Sequence, residues 1–168
     1  CKNFPEKNHI VGAYALGKSQ RVIKLLRDIG YNDTIFLHGS QVKICDYYAS
    51  QGIDLGKLEP VAHKKNKDFE GKIVIAPPSA LKDKWSRRFS EPVICYASGW
   101  MSIKQRAKQS LVEIPLIISD HCDWNELTAT IKKCKTKTVW VTHGREDALV
   151  YWCRTVSYTH LRAHETVG

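Results

Sequence analysis

The sequence lacks several features that would classify it at once. It has no apolar run long enough to cross a bilayer, and nothing in its first residues reads as a signal peptide. That sets aside a membrane-spanning helix and gives no reason to expect a membrane partner. No internal repeat is present. The six cysteines (Cys1, Cys45, Cys95, Cys122, Cys134, Cys153) contain no CxxC pair, and several sit in apolar runs such as Val93-Ile94-Cys95-Tyr96. This spread argues against a disulfide framework and for small buried side chains in a reducing cytoplasm. His160 and His164 stand at i, i+4, but the residues between them lack the Glu of an HExxH zinc protease.

What is present fits one α/β domain with a core: 168 residues, 43% apolar and 26% charged. The 26 Lys+Arg outnumber 17 Asp+Glu for a net charge of +9. That balance suits a polyanion such as nucleic acid.

Short apolar segments alternate with amphipathic ones, which predicts a mostly parallel layered structure. Strands are expected at His9–Leu16, Thr34–His38, Lys72–Ala76, Pro92–Ala97, Leu116–Ser119 and Thr138–Val141. Helices are expected at Lys18–Ile29, closed by Gly30, from a Ser40 cap to Ser50, from about Ser79, from Trp124 to about Lys133 behind an Asp123 cap, and from about Arg145. Residues 54–71 read as an irregular polar loop, and 100–111 as a basic stretch headed by Trp100. Thr155–Gly168 breaks the pattern and resembles translated adapter sequence, so it is expected to be non-native.

Three constellations carry chemistry. Gly12-Ala-Tyr-Ala-Leu-Gly17-Lys18-Ser19 matches the phosphate-loop pattern GxxxxGK[ST], and Leu116–Asp120 could supply its acidic strand. A phosphate loop wraps its ligand with successive backbone N–H groups, whereas Ala13–Leu16 reads as continuing strand, leaving too short a turn. Ser119-Asp120-His121-Cys122-Asp123-Trp124 places a His between carboxylates at a strand end, as a general acid or ligand, or simply as a polar residue beside a helix cap. Val139-Trp140-Val141-Thr142-His143-Gly144 places a second His at a strand end. The two histidines stand 22 residues apart with one helix between them, a spacing that normally sets two parallel strands side by side. Both imidazoles would then face one crevice.

Together these segments resemble the β-CASP branch of the metallo-β-lactamase superfamily. Ala13–Gln20 is similar to that branch's opening motif, Ser119–Asp123 to its motif B, and Val141–Gly144 to its motif C. Ile75–Ala80, Ala97–Met101 and Ser119–Trp124 are similar to runs in bacterial ligase-associated DNA exonucleases, over about Val11 to Arg154. The resemblance implies an α/β fold with a β-CASP cap at 1–111 and an incomplete, C-terminal portion of the metallo-β-lactamase domain at 112–154. It also implies a cytoplasmic enzyme of DNA end repair that hydrolyses phosphodiesters with two divalent metals, zinc or manganese. His143 would be a ligand of the second metal. His121 would be a general acid or phosphate contact, with Asp120 beside it. Lys18, Arg21, Ser98, Trp100, Lys104, Arg106 and Lys108 would contact DNA, a single strand or duplex end. An ATP-dependent DNA ligase and a helicase are implied partners. The family's HxHxDH cluster is absent and would belong before residue 1, so the chain alone is expected to be inactive. A β-CASP RNA-processing nuclease and an inactive nucleic-acid-binding scaffold are the alternatives.

Overall fold

The computed structural model describes residues 5–109, 112–142, 146–156 and 159–162. The chain divides into two compact units, Cys1–Asp120 and His121–Gly168.

In the first unit the elements run β1 (His9–Gly12), α1 (Lys18–Asp28), β2 (Ile35–Leu37), α2 (Gly39–Ser50), β3 (Leu58–Pro60), β4 (Ile73–Ala76), β5 (Val93–Ala97), α3 (Lys104–Gln109) and β6 (Ile114–Leu116). Short 3-10 turns occupy Asn66–Phe69, Pro78–Lys82, Lys84–Arg88 and Gly99–Ser102. The six strands form one parallel sheet in the order β3-β2-β4-β1-β5-β6. A parallel sheet must be covered on both faces, which is why its strands are apolar without alternation: all four residues of β4 are buried.

Successive side chains still point to opposite faces. Val11, Ile35, Leu37, Ile73, Ile75 and Cys95 pack on Val22 and Ile23 of α1 and Cys45 of α2. Ile10, Phe36, Val74 and Ala76 pack on the other face against Val61, Phe69, Ala80 and Phe89. The 3-10 turns supply this second layer, where Phe69 meets Phe36 and Phe89 edge-to-face at 5.0 and 5.1 Å. Helix α1 closes as expected: Gly30 takes φ +86°, its amide reaches the Arg27 carbonyl at 2.9 Å, and the Tyr31 amide reaches Leu26. The Arg27 guanidinium then donates to the carbonyls of Tyr31, Asp33, Leu55 and Lys57, tying together the loops at that end.

Several expectations are corrected. Strand β1 stops at Gly12, not Leu16. A Cβ at Gly12 would sit 2.5 Å from Leu81 Cδ1, so a larger residue there would have to displace the Leu81 side chain where the chain turns off the sheet. Helix α2 is capped by His38, whose Nδ1 accepts the Ser40 amide, and not by Ser40. The irregular 54–71 loop contains edge strand β3, which ends at Pro60, and a 3-10 turn. The helix expected from Ser79 is two 3-10 turns, and β6 lies at Ile114–Leu116, ahead of the expected Leu116–Ser119.

The second unit holds α4 (Trp124–Cys134), β7 (Thr138–Val141), α5 (Glu146–Thr155) and β8 (Thr159–Arg162). Asp123 and Glu126 exchange the hydrogen bonds of a capping box at 2.8 and 3.1 Å, as the sequence pattern requires. Trp124 meets Trp152 at 6.4 Å between centroids, and Val150 and Cys153 are buried. Strand β8, inside the segment read as non-native, pairs in parallel with β7.

This last pairing overturns the crossover expectation. Among the described residues β6 bonds to β5, and β7 to β8, in separate sheets. Pro115, in the middle of three-residue β6, has no N–H to donate, which suits an edge that accepts no further strand. The cysteine expectation holds in part: Cys45, Cys95 and Cys153 are buried, while Cys122 and Cys134 are exposed.

Two outcomes follow from this packing. Phe69→Ala should destabilise the chain by about 3–5 kcal/mol in urea titration, whereas Leu25→Ala, on the exposed side of α1, should cost well under half of that. Burial pushes the Cys95 thiol up to about 11. Iodoacetamide at mild alkaline pH, followed by peptide mapping, should therefore label Cys122 and Cys134 quickly and Cys95 only after denaturant is added.

Candidate functional site

In an open parallel sheet, ligands bind beyond the carboxyl ends of the strands, where neighbouring connections diverge. The chain leaves β1 toward β2 and leaves β5 toward β6, and β1 and β5 are neighbours. The divergence therefore lies between the loop Ala13–Gly17 and the turn Ser98–Ser102. The segment Ile117–Asp120, which follows β6, emerges at the same end.

Lys18, the first residue of α1, is only 4% exposed. An ammonium so placed is disfavoured by desolvation and by the positive end of the helix dipole, so it needs a carboxylate. Asp120 supplies it, with Oδ1 2.8 Å from Lys18 Nζ. The ammonium also lies 5.4 Å from the centroid of the Tyr14 ring. One turn further on, the Arg21 guanidinium donates to the Ser119 carbonyl at 2.5 Å. On the other side, Gly99 abuts Ser119 so closely that a Cβ would lie 3.1 Å from the Ser119 Cβ. The segment leading to His121 is thus held on both sides.

The loop that meets it is fixed from within. The Ser19 hydroxyl donates to the Tyr14 carbonyl at 2.7 Å. The Gln20 amide group accepts the Gly17 N–H at 2.8 Å and donates to Ala15 at 3.0 Å. Buried Gln41 donates to the Ala13 carbonyl at 3.0 Å. Beside the loop, burial pushes the Tyr96 phenol up; the charge and hydrogen bond of Tyr14 add to that, and a hydrogen bond from Ser98 opposes it. Ser98 Oγ in turn accepts the Trp100 amide at 3.3 Å.

This geometry weighs against a phosphate loop on grounds different from those of the sequence. Residues 13–17 do form a loop between strand and helix. The amides at its two ends and at the start of the helix are engaged inside the protein: Ala13 with Ala76, Gly17 with Gln20, Lys18 with Leu16 and Ser19 with Tyr14. The Lys18 and Ser19 side chains that would reach phosphate and magnesium are also engaged. Fewer groups are therefore left for wrapping a phosphate than the letter pattern suggests.

The residues nominated from sequence fall into three groups. Lys18, Arg21, Ser98, Trp100 and Asp120 gather at this end of the sheet. Lys18 and Arg21 hold the protein together there instead of standing free for phosphates, and the Asp120 carboxylate faces Lys18. Lys104 and Lys108 are exposed on α3, while His121 is exposed at the start of the second unit. The side chain of Arg106, and His143 entirely, lie outside the described residues.

Tyr14, Gln20, Gln41 and Tyr96 went unnominated. The one advance sign was a polar or aromatic residue next to a strand end. Among the described residues no three His, Cys, Asp or Glu side chains are grouped to hold a metal ion, so the implied dinuclear centre does not fit them. Protein-family models, curated proteins and solved structures were each compared with the chain, and none matches.

The ion pair is testable by a double-mutant cycle. Asp120→Ala should lower stability by about 1.5–3 kcal/mol, the range for hydrogen bonds to charged groups. In the Lys18→Met background the same change should cost much less, because no buried ammonium is left unmatched. Equal costs in the two backgrounds would show that the pair is not coupled.

Proposed function

We propose that this chain forms the nucleic-acid-contacting part of a phosphodiester-hydrolysing enzyme, a DNA exonuclease of end repair resembling the ligase-associated β-CASP group. The observation that carries the reading is the meeting of three motif segments at one place. Ala13–Gln20, Ser98–Gly99 and Ser119–Asp120 lie far apart in sequence yet join through the Lys18–Asp120 ion pair, the Arg21–Ser119 hydrogen bond and the Gly99–Ser119 contact.

In this reading Lys18 and Arg21 are positioning residues. They fix the backbone of Ser119 and Asp120, and His121 follows directly in sequence. An imidazole can then hold a phosphate oxygen or deliver a proton to a leaving oxygen. Trp100, exposed beside Ser98, offers a face on which a base can stack. Exposed Lys104 and Lys108 add positive charge for the backbone. The zinc or manganese pair of such enzymes is not fitted by the described residues, so for this chain the proposal covers binding and proton donation only. A ligase and a helicase of end repair would be its working partners.

The test compares labelled single-stranded DNA and RNA of one sequence by fluorescence anisotropy. DNA should bind more tightly, and Trp100→Ala should weaken it about tenfold or more, as loss of one stacked base does. RNA preference would move the reading to an RNA-processing nuclease. In a catalytically complete chain carrying this segment, His121→Ala should cut turnover strongly while leaving metal content unchanged, and His143→Ala should lower both. Metal content without turnover in the unsubstituted protein would indicate a binding scaffold.

A further inference from the structure

The segment between β4 and β5 reads Leu81-Lys82-Asp83-Lys84-Trp85-Ser86-Arg87-Arg88-Phe89, four cations and one acid. Its apolar residues face inward: Ala80 and Phe89 are buried, and Leu81 and Trp85 pack on the same cluster. Trp85 is wedged between the His38 and Phe89 rings, at 4.8 and 5.1 Å. The backbone is fixed as well. Asp83 Oδ1 accepts the Lys84 amide at 2.6 Å, and the Asp83 carbonyl accepts both the Ser86 amide and its hydroxyl.

What this leaves outside is Lys82, Lys84, Arg87 and Arg88, all exposed. None of the four makes an ion pair among the described residues. Elsewhere in the same unit Lys24, Lys57, Lys64 and Lys72 have carboxylate partners, while Lys43, Lys65 and Lys67 make no ion pair among the described residues but are not all gathered on one turn. The single local carboxylate, Asp83, is turned to the backbone. Three residues per turn at about 2 Å rise each set Lys84 and Arg87 on one side, about 6 Å apart along the axis. With the backbone beneath them already fixed, meeting a charged polymer costs these cations side-chain freedom but little backbone freedom.

We propose that this ridge is a second nucleic-acid contact, binding the phosphodiester backbone through Lys82, Lys84, Arg87 and Arg88. A guanidinium group can grip two phosphate oxygens at once, and Arg87 shares a side of the turn with Lys84. A lipid surface is a poorer match, because the segment keeps its apolar side chains inside and has none to insert. The ridge lies on the sheet face opposite α1 and α2, so it would extend the footprint beyond the strand-end site. The inference deepens the nucleic-acid reading, but it rests on different residues.

The experiment measures the affinity of the whole chain for labelled oligothymidylate across a salt series. Replacing Lys82, Lys84, Arg87 and Arg88 together with Ser should weaken binding at least tenfold. It should also flatten the plot of log affinity against log salt by about 2–3, at about 0.7 per single-strand phosphate no longer neutralised. Lys24→Ser with Lys43→Ser, on the helical face, should change neither. Circular dichroism and thermal melting check the fold, and Arg87→Glu with Arg88→Glu gives a smaller change should the fourfold variant unfold. Unchanged affinity and slope in a chain that binds DNA would overturn the ridge alone and leave the strand-end reading standing. No binding by the unsubstituted chain would overturn both, as would binding to phosphatidylserine vesicles in place of DNA.

Discussion

A lysine ammonium buried at the first turn of a helix needs a countercharge, and this requirement organises the first unit. Lys18 cannot be solvated where α1 leaves the sheet, so Asp120, more than a hundred positions away, is drawn to it. Through that pair the segment after the edge strand is fixed to the loop after a central strand. Arg21 and Gly99 then hold the preceding residue. The pair is a constraint on position more than a source of stability. Buried ion pairs return little net energy, but they are costly to break on one side only.

Much of this architecture was legible in the sequence where a single local signal decided the matter. Gly30 ended α1 because only a residue at ease with φ +86° can sit there. Asp123 and Glu126 marked the start of α4 through spacing alone. The strands expected at Lys72–Ala76 and Pro92–Ala97 stand to within one residue as β4 and β5 of the parallel sheet. The errors lay where a hydrogen-bond partner decided that no local signal named. Strand β1 ends early where the Tyr14 carbonyl accepts the Ser19 amide and hydroxyl instead of a neighbouring strand, and the cap of α2 went to His38 through a ring nitrogen that the usual cap preference does not favour. The candidate site shows the same division. Its location at strand ends could be inferred from the order of elements, but the engagement of Lys18 with Asp120 could not, because nothing local announces it.

The phosphate-loop pattern shows how a motif can be matched in letters and emptied in chemistry. The loop, the helix and the lysine are all where such a motif would put them. What differs is the destination of the Ala13, Gly17, Lys18 and Ser19 amides and of the Ser19 hydroxyl, which turn inward to the Tyr14, Leu16 and Ala76 carbonyls and to Gln20. A polar side chain such as Gln20 takes up a backbone donor that a ligand would otherwise need. The pairing of β7 with β8 rather than β6 carries a similar lesson, since the proline in β6 withholds the donor that a further neighbour would need.

The strand-end loops also leave large apolar side chains in water. Tyr14, Leu16, Trp100, Ile103 and Ile117 are 57, 68, 58, 42 and 67% exposed, all on connections that follow β1, β5 and β6. A rim of this kind makes the colloidal behaviour of the molecule a contest between two forces. The net charge of +9 keeps copies apart at low ionic strength, where repulsion reaches beyond molecular contact. As added salt shortens that reach to about 10 Å or less, the rims can meet. The medium itself therefore governs whether this protein stays dispersed or self-associates.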